Sequence, residues 1–310
     1  MTFRHTPVLL DETIALLKDA TGTRFVDGTL GGAGHASALL TARPDASLLG
    51  IDRDVEAVHA ASATLAKFGK RAVVRHGNFT EMRHLANELG WDSVDGGILL
   101  DLGVSSHQLD EASRGFSFRF DAPLDMRMDQ TSALTAAKIL NEYSEKQLAD
   151  LLYESGEERT SRQIARAVVE RRVQRPWEKT GEFAELLERI VGRAHQHGLP
   201  PATRSFQALR IAVNDELGAL ERGLQEALRL AAPGARLAVI TFHSLEDRMV
   251  KHFFQHEAAT CVCPPGLPIC ICGKIQTVRI VTRKPIRPSD EECRANSRAA
   301  CAKLRVAIKI

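Results

Sequence analysis

Three acids in the first third of this chain close short apolar runs, and two of them lead into glycine-bearing turns. Asp27 ends Arg24-Phe25-Val26-Asp27 and runs into Gly28-Thr29-Leu30-Gly31-Gly32-Ala33-Gly34-His35. Asp52 ends Ser47-Leu48-Leu49-Gly50-Ile51-Asp52, and Asp101 ends Gly97-Ile98-Leu99-Leu100-Asp101. Glycine lets a backbone turn sharply and approach a ligand where a Cβ would clash. A carboxylate at the end of the second strand can accept both ribose hydroxyls of an adenosine. Together these features predict an adenosine-cofactor site at the carboxyl edge of a parallel sheet. A clean Gly-x-Gly-x-x-Gly is missing, the nearest approach being Gly32-Ala33-Gly34-His35-Ala36-Ser37, which weakens a dinucleotide reading. An acid directly before the turn, at Asp27, suits a cofactor with an amino group and a sulfonium better than one with a pyrophosphate. The plainer alternative is a glycine-rich turn with no ligand.

Asp101 is followed by Leu102-Gly103-Val104-Ser105-Ser106. A buried carboxylate flanked by hydroxyls can accept hydrogen bonds from an amine substrate or from a cofactor's ammonium group. It could also simply cap the next helix. After a fifth strand, Thr241-Phe242-His243-Ser244-Leu245-Glu246-Asp247 reaches the same edge, and His243 there is a candidate for substrate contact.

The elements that must position these groups follow from periodicity. Arg24–Asp27, Ser47–Asp52, Ala72–His76 and Gly97–Asp101 read as strands, the last an apolar run as expected where both faces are covered. Helical patterns fill the gaps, for example Asp54 to Phe68 with Val55, Val58, Ala61 and Leu65 on one face. Repeated strand–helix units predict an α/β fold with a parallel, doubly wound sheet. After Asp101 the rhythm changes. Ser113 to Gln130 has no clear period, and long helical patterns follow, including Glu158 to Val173 and Ser205 to Leu220. Strand signals return at Arg236 to Phe242, and Val278 to Thr282 and Leu304 to Ile308 would close the sheet as an antiparallel pair. The expected organisation is a discontinuous sheet domain, 1–108 and 213–310, interrupted by a helical substrate-recognition domain, 109–212.

Length suits two domains: 310 residues, 44% hydrophobic and 26% charged. No apolar run approaches the ~18 residues of a membrane span, and Met1 to Pro7 lacks the apolar stretch of a signal peptide, so a cytoplasmic protein is expected. Net charge is only +2, but Ile271 to Ile310 carries ten Lys or Arg against three Asp or Glu. That tail, and Arg159, Arg162 and Arg166 on one helical face, could track nucleic-acid phosphates. A solvated surface, with the helix face paired to Glu157, Glu158 and Glu170, explains them equally well.

Six blocks carry a resemblance to one family: Val26 to His35, Asp101 to Ser106, Arg114-Gly115-Phe116-Ser117-Phe118, Pro123-Leu124-Asp125-Met126-Arg127-Met128-Asp129, Pro201 to Ala208, and Phe242 to Arg248. They are similar to the RsmH (MraW) family of small-subunit ribosomal RNA cytosine-N4 methyltransferases, and the match runs from His5 to about Arg305. The resemblance implies a Rossmann-like class I methyltransferase sheet with an inserted helical domain, and a cytoplasmic enzyme using S-adenosyl-L-methionine. The methyl acceptor would be the exocyclic amine of a decoding-centre cytidine in 16S rRNA of the small ribosomal subunit. By position it implies cofactor contacts at Ala33, Gly34, His35, Asp52, Phe79, Asp101 and Gln108. The chain departs from the family pattern at Ala33, where Gly is usual, at His107, where Pro is common, and at Asn296 to Arg305.

A cytosine amine is a poor nucleophile because its lone pair is delocalised into the ring. An enzyme must orient it and accept a hydrogen bond from its N–H as the pair localises. The Asp/Asn-Pro-Pro-aromatic motif of many amino-group methyltransferases does not occur, so Asp101, Ser105 and Ser106 are the positional substitutes, with Asp101 the catalytic candidate. Phe116, Phe118 or Phe242 could stack on a flipped base, or serve the core. Two further functions compete: an NAD-dependent oxidoreductase, disfavoured by the missing fingerprint, and a non-catalytic RNA-binding protein of the assembling ribosome. All six cysteines lie between Cys261 and Cys301. The pairs Cys261-Val262-Cys263 and Cys270-Ile271-Cys272 could close a thiolate zinc site, with Pro264, Pro265 and Gly266 turning the chain. Their spacing is tighter than common knuckles, so no metal and unligated thiols are expected.

Overall fold

Apolar runs bounded by turn residues become strands: β1 (Arg24–Asp27), β2 (Ser47–Asp52), β3 (Ala72–His76), β4 (Gly97–Asp101), β5 (Arg236–Thr241), β6 (Val278–Ile280) and β7 (Lys303–Lys309). A computed structural model describes residues 7–192, 200–264 and 269–310 and, within them, all side chains but those of Ser106 and His107. The strands form one sheet in the order β3-β2-β1-β4-β5-β7-β6. The first five are parallel, and β7 runs antiparallel to both β5 and β6. This is the Rossmann-like sheet that the resemblance implies, closed by the expected antiparallel pair.

Strand alternation sorts side chains between two cores. Val26, Leu49, Ile51, Ile98, Leu100, Leu237 and Val239 join a cluster that includes Leu220, Leu224 and Leu230 of the helix Glu216–Leu230. Phe25, Leu48, Leu99, Ala238 and Ile240 join another with Leu17, Leu39 and Leu40. With both faces covered, the central strands read as apolar runs and their polar ends mark the sheet's edge. β1 lies between β2 and β4, so the order reverses there. The carboxyl ends of β1 and β4 flank that switch point, where ligands bind in open α/β sheets.

The chain divides into two compact units, Met1–Gly103 with Gly218–Ile310, and Val104–Leu217. These boundaries stand five residues from the expected 108/109 and 212/213. The short helix Ser106–Asp110 goes with the second unit because Leu109 packs against that unit's core.

In the second unit Trp177, Phe183 and Phe206 anchor a core shared by the helices Ala136–Glu142, Glu145–Gly156, Ser161–Arg172, Thr180–Val191 and Thr203–Asn214. The aperiodic stretch from Ser113 to Gln130 is held by polar clamps rather than by regular structure. Arg114, only 4% exposed, donates through Nη2 to the carbonyls of Arg127 (3.1 Å) and Met128 (2.9 Å). Asn214 donates to the Met126 carbonyl (2.7 Å) and accepts from the Met128 N–H (2.8 Å).

Three helices differ from their sequence periodicity. The pattern Asp54–Phe68 becomes a helix over Val55–Leu65, because the Asp54 carboxylate takes the Glu56 N–H and caps it. Its buried stripe is Ala57, Ala61 and Leu65, and Val55 in the first turn faces outward, 46% exposed. The pattern Glu158–Val173 begins only at Ser161, because Glu158 accepts from the N–H (3.0 Å) and hydroxyl (2.7 Å) of Thr160 in a turn. The pattern Ser205–Leu220 splits into Thr203–Asn214 and Glu216–Leu230 at Asp215, whose φ is 48°. Apolar spacing runs through that break, so only the left-handed residue reveals it.

Candidate active site

The turn after β1 is built by close approach. Gly28 N–H donates to the Leu99 carbonyl (2.9 Å), and the Leu30 N–H to the Ile51 carbonyl (2.9 Å), tying the turn to both neighbouring strands. Gly31 has φ +50°, as a tight turn there requires. Ala33 follows with φ 63° although it carries a Cβ, and is fully buried. At Gly34 the room left by the missing Cβ is taken by the chain itself, since a Cβ would meet Pro7 Cγ at 2.2 Å.

Around this turn the three strand-end acids sit in different environments. Asp52 accepts the Gly31 N–H on Oδ2 (2.7 Å) and the Asp54 N–H on Oδ1 (2.9 Å). Burial nevertheless raises its pKa, against those two hydrogen bonds. Asp27 is 2% exposed and accepts the Thr29 N–H (3.2 Å). Burial, with the Asp52 charge adding to it, lifts its pKa to about 7. Asp101 is raised well above the ordinary carboxylate range, first by burial and then by the negative charges of Asp27 and Glu246. Its backbone N–H donates to the Thr29 hydroxyl (2.6 Å), while its buried Oδ1 has no hydrogen-bond partner.

His35 links Asp101 to the segment before the first helix. Its Nε2 lies 3.0 Å from the Val8 carbonyl, and its Nδ1 lies 3.5 Å from Asp101 Oδ2. A carbonyl can only accept, so Nε2 carries a hydrogen. Nδ1 is then left facing Asp101 Oδ2 at a separation too long for a strong hydrogen bond.

The edge after β5 is organised by a capping box. His243 Nδ1 accepts the Glu246 N–H (3.4 Å), and Glu246 Oε2 accepts the N–H groups of Phe242 (2.8 Å) and His243 (3.3 Å). With Nδ1 accepting, the His243 hydrogen belongs on Nε2, which lies 3.2 Å from Glu246 Oε1 without making a hydrogen bond to it. Glu246 is 2% exposed. Its place three residues after His243 is a capping-box spacing, the signal by which it could have been picked out. Thr29 gives no comparable signal.

Of the residues expected at the cofactor, Ala33, Gly34, His35, Asp52 and Asp101 gather at the ends of β1, β2 and β4. Phe79 is 8% exposed, its ring packed where Gly223 has no side chain, since a Cβ there would lie 2.4 Å from it. Gln108 belongs to the other unit, where its Oε1 accepts the Ser105 N–H (3.0 Å) and its own N–H donates to the Ser105 hydroxyl (3.2 Å). Ser106 and His107 have no described side chains. Among the aromatic candidates, Phe116 is buried in the helical core and Phe118 packs edge-on against Phe206 with centroids 5.2 Å apart. Phe242 is half-buried beside Gly103.

The acidity of this edge opposes a dinucleotide. A pyrophosphate needs N–H donors and positive charge, whereas the charges acting on Asp101 are carboxylates and the start of the helix Gly34–Ala42 is backed by Pro7.

Comparison with known proteins agrees. The profile of the MraW methylase family matches residues 2–310. The "Ribosomal RNA small subunit methyltransferase H" of Heliobacterium modesticaldum is 52% identical over 312 residues, covering 100% of both chains. That of Symbiobacterium thermophilum is 51% identical over 312 residues, covering 100% of this chain and 98% of its own. Among solved structures, an rRNA methylase from Streptococcus thermophilus covers 96% of this chain and 95% of its own at 8% identity and TM-score 0.42, a likeness of fold alone. Half-identity sustained from end to end is far more than a shared fold requires, and this chain belongs to the MraW methylase family.

Proposed function

We propose that this chain transfers a methyl group from S-adenosyl-L-methionine to the exocyclic N4 of a decoding-centre cytidine in 16S rRNA. Its family and its half-identical relatives, named as small-subunit ribosomal RNA methyltransferases, support the coarser part of that reading. The observation that carries the finer part is Asp101 Oδ1, a buried carboxylate oxygen without a partner at the end of the central strand.

The residues present fit the cofactor. Each Asp52 oxygen spends one lone pair on a backbone N–H, so each keeps another for a ribose hydroxyl. Asp27 and Asp101 form an acidic, buried pair that a positively charged group would neutralise. When bound, S-adenosyl-L-methionine supplies an electrophilic methyl group on a positively charged sulfur. Asp101 orients the cytosine amine by accepting its N–H, which localises the nitrogen lone pair. N4 gains a methyl group and sheds one proton, and Asp101 Oδ1 takes that proton. Beside a cationic cofactor Asp101 would be held ionised, and the burial that raises its proton affinity then makes it a stronger base.

The test is methyl transfer by the purified chain from labelled S-adenosyl-L-methionine to small-subunit particles from cells lacking the protein. Nuclease digestion and mass mapping should return N4-methylcytidine at a single decoding-centre position. Label in another base, or none, sinks the reading, and the second result would favour a non-catalytic RNA-binding role.

A further inference from the structure

Between the helix Ser244–Ala258 and β6 the chain crosses the surface with little apolar burial to hold it. Ile269, Ile271 and Ile275 are 75%, 79% and 77% exposed. In this segment four cysteines converge, the sulfurs of Cys261, Cys263, Cys270 and Cys272 all lying within 4.8 Å of one another. Cys270 Sγ lies 3.5 Å from Cys261 and 3.5 Å from Cys272; Cys263–Cys270 and Cys261–Cys272 are 3.9 Å apart.

Those distances discriminate between chemistries. A disulfide would bring two sulfurs to about 2.05 Å. A tetrahedral ion with metal–sulfur bonds of about 2.3 Å holds its four thiolates about 3.8 Å apart along every edge. The four separations bracket that value. We propose that Cys261, Cys263, Cys270 and Cys272 form a structural zinc site that folds this segment.

The backbone already serves it. The Val262 N–H points at Cys272 Sγ and the Cys263 N–H at Cys261 Sγ, each at 3.4 Å. Such N–H···S contacts stabilise thiolate charge. One intervening residue in each Cys-x-Cys pair is enough because the two pairs approach from separate arms of the loop. The expected turn at Pro265 and Gly266 lies outside the described residues. Binding exchanges protons for metal: four thiols and one Zn²⁺ give a tetrathiolate of charge −2 and four released protons, with no change of oxidation state. All four positions are filled by sulfur, so the site has no opening for a substrate, and its role is to staple the loop.

The full-length chain, purified under reducing conditions without chelator from cells grown with added zinc, should carry one zinc per chain by elemental analysis. Cobalt exchanged into it should show the visible bands of a tetrahedral thiolate complex. The Cys263→Ser, Cys270→Ser double variant should lose the metal and gain protease cleavage in this segment, with its far-ultraviolet circular dichroism and cofactor affinity unchanged. Substoichiometric zinc, iron in its place, or full zinc retained by the double variant overturns the proposal. A titration finding these four thiols oxidised in freshly isolated protein also overturns it.

Discussion

Asp52 makes two backbone hydrogen bonds that fix its carboxylate across the turn. Asp52→Ala should therefore weaken S-adenosyl-L-methionine binding by about 1.5–3 kcal/mol, as charge-assisted hydrogen bonds are lost. Calorimetry finding the same affinity in a folded variant would remove Asp52 from the ribose site. Asp101→Asn keeps the shape and removes the charge, so methyl transfer should fall by ~10²-fold or more, beyond any loss of cofactor affinity. If single-turnover rates recover fully at saturating cofactor, Asp101 serves only the cofactor. Asp27 adds a pH dependence with a defined sign. Its folded pKa of about 7 stands above the ordinary 3.8, so the folded protein holds a proton that the unfolded chain gives up. Asp27 therefore lowers stability as pH rises from about 4 to about 7, by up to about 1.4 kcal/mol per pH unit, and adds no further slope above that. Asp27→Asn should flatten that part of the melting-temperature profile. A cationic cofactor favours the ionised carboxylate, so its affinity should improve several-fold between pH 5.5 and 7.5. Calorimetry at pH 6 in two buffers of different ionisation enthalpy should register proton release.

At the scale of elements, the parallel strands were legible because burial on both faces leaves an apolar run with one polar residue at its end, as in Gly97–Asp101. Helix limits were less so, because they are decided by side chains whose partners lie elsewhere. Asn214 serves a loop more than eighty residues earlier in the chain, and nothing in its local spacing says so. The glycines were legible as a turn but not in their separate uses: Gly31 supplies a dihedral angle, while Gly34 makes room for Pro7. The φ of 63° at Ala33 is one that glycine adopts more readily, which fits the Gly that the resemblance leads one to expect there. Gly34→Ala should cost about 1–3 kcal/mol through overpacking, and Pro7→Ala in the same chain should recover part of it. Equal destabilisation in the presence and absence of the Pro7 change would place the clash elsewhere.

Across the whole molecule, the basic residues divide into those the fold uses and those it leaves in solvent. Arg305 and Lys303 hold Asp247 at 2.6 and 3.1 Å, and Lys274 pairs with Glu257 at 3.0 Å. Arg279, Arg283, Lys284 and Arg287 are exposed, as are Arg159, Arg162 and Arg166, the last facing Glu145 at 3.8 Å. Sequence alone weighed all of these together, because ion pairing is settled by folding. Reversing Arg279, Arg283, Lys284 and Arg287 together should weaken binding to small-subunit RNA and flatten its dependence on salt, with cofactor affinity unchanged. An unaltered salt slope would show that RNA phosphates lie elsewhere.

The sheet order also has a consequence in time. β4 pairs with β5 along its whole length, yet all of Val104–Leu217 intervenes between them. During synthesis β4 is finished long before its neighbour exists. Ile98, Leu99 and Leu100, buried in the native sheet, then form one edge of a nascent four-strand fragment. Such an edge recruits any other strand at hand, which makes it a site for aggregation. The inserted unit has its own core, so it can fold during this interval. Its rate of folding then sets how long β4 waits. A slow insert lengthens the exposure, and substitutions that destabilise Val104–Leu217 should reduce the yield of soluble protein even when they lie far from any residue that touches substrate.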